Sequence, residues 1–102
     1  MRPFFWQKKR ESMNAQEINE NLKTLNGWSY DQATKSLTKT FNFKSYTKNI
    51  SFVNAVAWVA NKLNHHPDLL VSFNQCVVHM TTHDEGGVSE KDFHLALEID
   101  KL

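Results

Sequence analysis

Apolar residues recur along this chain at two different spacings, and the change from one to the other outlines its elements. Ile18, Leu22 and Leu25 fall on one helical stripe behind Asn14. Asn14 can cap that helix, and Glu17, three residues on, can bond back to it. Gly27 supplies the left-handed residue expected at a helix stop. The spacing then becomes alternate, predicting strands near 28–31 and 36–43. In the second, Leu37, Phe41 and Phe43 share one face while Thr38, Thr40 and Asn42 share the other. Phe52, Val53, Val56, Val59, Ala60 and Leu63 return to three- and four-residue steps, predicting a long helix over about 46–64. Pro67 disfavours helical geometry at His66, so that helix ends at or just before His65 and His66.

A second hairpin follows. Leu69, Val71 and Phe73 alternate with Leu70, Ser72 and Asn74, and Cys76, Val78 and Met80 alternate with Val77, His79 and Thr81. A tight turn at Asn74-Gln75 pairs Phe73 with Cys76, Val71 with Val78, and Leu69 with Met80, which puts all six on one apolar face. The last helix starts from Ser89 with the capping pattern Ser89-x-x-Asp92. The order is α-β-β-α-β-β-α. It predicts an α+β fold in which a four-stranded antiparallel sheet carries its helices on one face.

Carried outward, the hairpin pairing sets Pro67 opposite Thr82 and His66 opposite His83, with His65 beside them at the helix end. Histidine exchanges protons near neutral pH, its unperturbed pKa being about 6.5. Imidazoles packed together resist charging at once, so a cluster offers an acid and a base in one pocket. Ordinary loop histidines at a strand end would give the same spacing. Three histidines can also hold zinc. Adjacent ones normally diverge, however, unlike the i, i+4 pair of metalloproteases, and Cys76 falls on the core face. No metal site is expected.

Composition narrows the picture further. The 102 residues make one domain's worth of chain, 40% hydrophobic and 23% charged, the balance of a globular protein. A net charge of +1 argues against a direct nucleic-acid binder, which concentrates Lys and Arg on one face. The single cysteine, Cys76, excludes an internal disulfide and fits a reducing compartment such as the cytoplasm. No apolar run approaches the roughly 20 residues needed to span a bilayer. Residues 1–12 lack the apolar stretch of a secretory signal and read as a flexible N-terminal extension ahead of one domain over 13–102.

The run Lys62-Leu63-Asn64-His65-His66-Pro67-Asp68, then Phe73-Asn74, Thr81-Thr82-His83-Asp84 and Gly87-Val88-Ser89-Glu90-Lys91-Asp92, resembles the pterin-4a-carbinolamine dehydratase family. That family is also known as the dimerisation cofactor of a homeodomain transcription factor. The resemblance covers most of residues 14–102, including Gly27-Trp28 and the Phe41-x-Phe43 strand. It implies the same element order, and it implies dehydration of 4a-hydroxytetrahydrobiopterin to the quinonoid dihydropterin in tetrahydrobiopterin recycling, without a cofactor. By resemblance, His65, His66 and His83 are catalytic, and His66, Asp92, Trp28 and Asn61 contact the pterin. Asp92 also reads as the reciprocal partner of the Ser89 cap, and Trp28 as a buried hairpin tryptophan. The family commonly carries an acidic residue at the position of Asn61, where an amide supplies no charge. The resemblance further implies a homodimer or homotetramer, a transcription-factor partner for some members, and a nuclear pool beside the cytoplasmic one. A binding module without enzymatic activity is the alternative reading, with the 46–64 helix as its surface.

Overall fold

The computed structural model describes residues 12–102. The extension expected over 1–12 therefore lies, up to Glu11, outside the described residues. The chain runs through α1 (Ala15–Leu22), β1 (Ser29–Asp31), β2 (Ser36–Asn42), α2 (Tyr46–Leu63), β3 (Asp68–Val71), β4 (Gln75–Met80), a 3-10 turn (His83–Glu85) and α3 (Glu90–Asp100). The expected α-β-β-α-β-β-α order holds, with the short 3-10 turn added. All strand pairs are antiparallel, in the spatial order β1-β2-β4-β3.

Each helix start follows from its capping chemistry. The Asn14 side chain accepts from the Glu17 N–H at 2.9 Å, and the Glu17 carboxylate accepts from the Asn14 N–H at 2.9 Å. Ser45 caps α2 by accepting from the Lys48 N–H at 3.2 Å. The stop of α1 differs from expectation. It ends at Leu22, before Gly27, because its last turn tightens: the Lys23, Thr24 and Leu25 N–H groups reach back only three residues. Gly27 is left-handed (φ +84°), but it turns the chain into β1 rather than ending the helix.

One face of the sheet is the core face. Leu37, Cys76, Val78 and Met80 are buried there against Ile18 of α1, Val56 and Ala60 of α2, and Phe93, Leu95, Ala96 and Ile99 of α3. Phe41, Phe43 and Phe52 extend this core as a run of tilted rings 4.6–5.1 Å apart. At the far end of α3, Asp100 accepts from the Trp28 indole N–H at 3.0 Å and from Lys39 at 2.9 Å, which ties β1 and β2 to the helix.

The second hairpin corrects the expected register. Val71 pairs with Cys76, Leu69 with Val78, and Asp68 with His79. The two-residue turn is Phe73-Asn74, closed by the Ser72 N–H donating to the Gln75 carbonyl at 2.9 Å. The pairing has slipped by two residues, so the core face is unchanged but the partners are not. The cause lies outside the hairpin. Fully buried Asn49 of α2 donates its amide to the Ser72 carbonyl at 2.7 Å and to the Gln75 carbonyl at 3.0 Å. Phe73 meanwhile leaves the core face and stacks on Tyr46, with ring centroids 6.3 Å apart. The expected pairs of His66 with His83 and Pro67 with Thr82 therefore do not form. Projected beyond the ladder, the observed register sets His65 across from Thr82.

Candidate active site

The end of α2 delivers the first histidine. Asn64 adopts the left-handed conformation (φ +52°) in which a helix chain can turn out. Its N–H returns to the Asn61 carbonyl at 3.2 Å, and the His65 N–H returns to the Ala60 carbonyl at 3.1 Å. This is the double bond pattern of a Schellman stop, with asparagine in the place glycine usually takes. It fixes the His65 backbone one residue beyond the turn and leaves its ring 13% exposed.

The start of α3 delivers the carboxylate. Asp92 closes the capping box, its Oδ2 accepting from the Ser89 N–H at 3.0 Å. That reciprocal bond aims the rest of the side chain at the end of α2, where Oδ1 meets His65 Nε2 at 2.6 Å. Asp92 has no exposed surface. A carboxylate sealed from water needs donors around it. Besides His65 and the Ser89 N–H, Oδ2 accepts from the Thr82 hydroxyl at 2.8 Å, and that hydroxyl lies 2.6 Å from Ser89 Oγ. Among the described residues, His65 is the one ionisable group that pairs with Asp92.

The remaining candidates lie around this pair at different places. His83 is exposed and opens the 3-10 turn, one residue after Thr82. The turn is held by the Gly86 N–H donating to the His83 carbonyl at 3.1 Å and by a bridge between Thr82 and Gly87. His66 and Asn61 line a single cavity of about 490 Å³ with Pro67, Leu69 and Trp58, between α2 and β3. Trp28 is not brought to the pair. Its indole is bound to Asp100, eight residues beyond Asp92 on α3, about 12 Å along the helix axis. Among the described residues no three His, Cys, Asp or Glu side chains converge as a metal site. No described helix is long and apolar enough to cross a membrane.

Thr82 joins the site without a sequence signal of its own. Its hydroxyl carries no periodic signal. The capping box was the available clue, because Ser89-x-x-Asp92 already places the Asp92 carboxylate over the helix start, where a neighbouring strand end can reach it.

The fold is a small α+β domain that joins a part-buried histidine to a fully buried carboxylate between two helix ends. Comparison with known proteins gives the family. The chain belongs to the pterin-4a-carbinolamine dehydratase family, whose model, described as pterin 4 alpha carbinolamine dehydratase, matches residues 11–102. A relative from Nitrosospira multiformis, provisionally named a pterin-4-alpha-carbinolamine dehydratase, is 44% identical over 88% of this chain and 78% of its own. One of the same provisional name from Sulfolobus acidocaldarius is 42% identical over 88% of this chain and 97% of its own. A Brucella melitensis crystal structure described as a transcriptional coactivator/pterin dehydratase superposes with a TM-score of 0.85 at 32% identity, covering 89% of this chain and 97% of its own. A pterin dehydratase-like protein described as a RuBisCO assembly factor shares the fold, with a TM-score of 0.64 over 74% of this chain and 88% of its own at 21% identity.

Proposed function

We infer that this chain, acting as one domain over residues 13–102, dehydrates a 4a-hydroxytetrahydropterin, the product of an aromatic amino acid hydroxylase. The observation that carries this reading is the His65–Asp92 pair at 2.6 Å, set beside His66 at one helix end and beside the residue that precedes His83. The reaction breaks the bond between C4a and its hydroxyl, which departs as water on gaining a proton. A ring-nitrogen proton leaves at the same time, and its electron pair closes the double bond of the quinonoid dihydropterin. No electrons are exchanged with an outside group, so the step needs no redox cofactor. It needs one acid and one base, and these roles are assigned to His65 and His83. Asp92 reaches the chemistry through His65, since it has no surface of its own. Contact with the pterin falls to His66, with Asn61 on the same cavity.

The test is dehydration of freshly generated 4a-hydroxytetrahydropterin followed by ultraviolet absorbance, with wild type compared with His83→Ala. Acceleration over the spontaneous rate, mostly lost in the variant, supports the assignment. No acceleration by folded wild type removes it.

A second reading, an oligomeric interaction module working with a transcription factor, is favoured by side chains that the fold leaves uncovered. Trp58 on α2 is 77% exposed and Leu70 on edge strand β3 is 68% exposed. The Brucella relative's description as a coactivator points the same way. Partner capture by a catalytically dead His83→Ala protein would separate binding from chemistry, and sedimentation would distinguish a dimer or tetramer from a monomer.

A further inference from the structure

The bonds around Asp92 have a direction that follows from counting hydrogens. An ionised carboxylate only accepts, so Thr82 spends its single hydroxyl hydrogen on Asp92 Oδ2 at 2.8 Å. Thr82 Oγ1 then has only lone pairs to offer Ser89 Oγ at 2.6 Å, so Ser89 donates to Thr82. Ser89 Oγ in turn accepts from the Lys91 N–H at 3.2 Å. The result is a one-way chain from the α3 backbone through Ser89 and Thr82 to Oδ2. Bonds lined up in this way polarise one another. With the Ser89 N–H also on Oδ2, both donors from the helix start and the strand end fall on the same oxygen. Oδ1 is left to His65.

The same count applied to His65 gives its tautomer. Its Nε2 faces an oxygen that only accepts, so Nε2 carries the hydrogen. In the neutral ring Nδ1 then carries the lone pair. Among the described residues Nδ1 has no hydrogen-bond partner, and the ring keeps 13% of its surface open.

We propose that Thr82 is a positioning residue: by holding Asp92 Oδ2 it keeps Oδ1 on His65 Nε2, which makes Nδ1 the nitrogen that exchanges the proton with substrate. This deepens the dehydratase reading and rests on it for the catalytic consequence, but not for the tautomer. A hydroxyl at this position is required and a methyl group is not. Thr82→Ser keeps the chain, whereas Thr82→Val keeps the volume, leaves Oδ2 with the Ser89 N–H alone and strands the Ser89 hydroxyl. The carboxylate is then free to rotate, and the imidazole can sample its other tautomer.

The experiment combines ring-nitrogen NMR shifts of His65 with steady-state dehydration kinetics on wild type, Thr82→Ser and Thr82→Val. At a pH above the titration of His65 seen in the same spectra, wild type and Thr82→Ser should both carry the ring hydrogen on Nε2, with kcat values within about twofold of each other. Thr82→Val should show mixed tautomers and a kcat lowered about tenfold, the low end of what loss of an orienting outer partner costs, with KM little changed. A wild-type His65 carrying its hydrogen on Nδ1 overturns the proposal. So does a Thr82→Val protein with wild-type kcat and a single Nε2–H tautomer. Should the valine variant not fold, Thr82→Ala read against Thr82→Ser makes the same comparison. A folded wild type that shows the Nε2–H tautomer but accelerates no dehydration overturns the dehydratase reading and leaves the positioning geometry standing.

Discussion

Replacing Asp92 by asparagine changes one atom and tests both the frame and the chemistry. Three donors converge on the carboxylate: His65 Nε2 at 2.6 Å, Thr82 Oγ1 at 2.8 Å and the Ser89 N–H at 3.0 Å. An amide offers one oxygen and one NH₂ to the same space. With its NH₂ towards Thr82 and Ser89, buried donors would face a donor. The cheaper orientation keeps the oxygen on Thr82 and Ser89 and turns the NH₂ to His65, whose ring must then accept at Nε2 and carry its hydrogen on Nδ1. Each of the three bonds falls from charge-assisted, roughly 1.5–3 kcal/mol, to neutral, about 1 kcal/mol, a loss of roughly 3 kcal/mol in all. For a domain of this size that lowers the melting temperature by ~10–25 °C. The nitrogen proposed to work on substrate is then blocked, so kcat should fall on the order of 10²-fold or more. Thermal unfolding by circular dichroism reads the first effect, and the ultraviolet dehydration assay, run below the variant's melting temperature, reads the second. A variant melting within about 2 °C of wild type would show that the three bonds contribute far less than this reasoning requires. Wild-type turnover would refute the role given to His65 and Asp92.

Asn49→Ala removes the two amide bonds that close the Phe73-Asn74 turn, partly offset because Asn49 Oδ1 is itself buried without a partner. The expected cost is about 2 kcal/mol in urea unfolding, and an unchanged midpoint would show that the turn holds without it. Burial pushes the Cys76 thiol above its ordinary range, so Ellman's reagent should find no reactive thiol in folded protein at neutral pH and one per chain after unfolding. Rapid labelling of the folded state would contradict the packing of β4. Asn61→Asp places a carboxylate on the cavity that His66 lines, and the pH–rate profile should shift; an unchanged profile would separate position 61 from the site.

Much of this architecture was written in local chemistry. The caps at Asn14 and Ser89, the alternation along β2 and β4, and the helical stripe through Val56 and Ala60 are each settled within a few residues. For that reason the element order and the buried sheet face were legible from the chain. The parity of the second hairpin was legible too, because a one-residue slip would turn Cys76, Val78 and Met80 outward. A two-residue slip leaves every apolar residue that stays in the ladder on its face and moves Phe73 alone into the turn, so the pattern could not choose between registers two apart. Asn49, more than 20 residues upstream, made that choice by gripping the turn. The slip set His65, rather than Pro67, across from Thr82 just beyond the end of β4. The pairing of His65 with Asp92, and the Thr82 hydroxyl that completes it, join three segments distant in sequence. Periodicity reports only which way a side chain faces; which partner it meets is decided by how α2, β4 and α3 pack against one another.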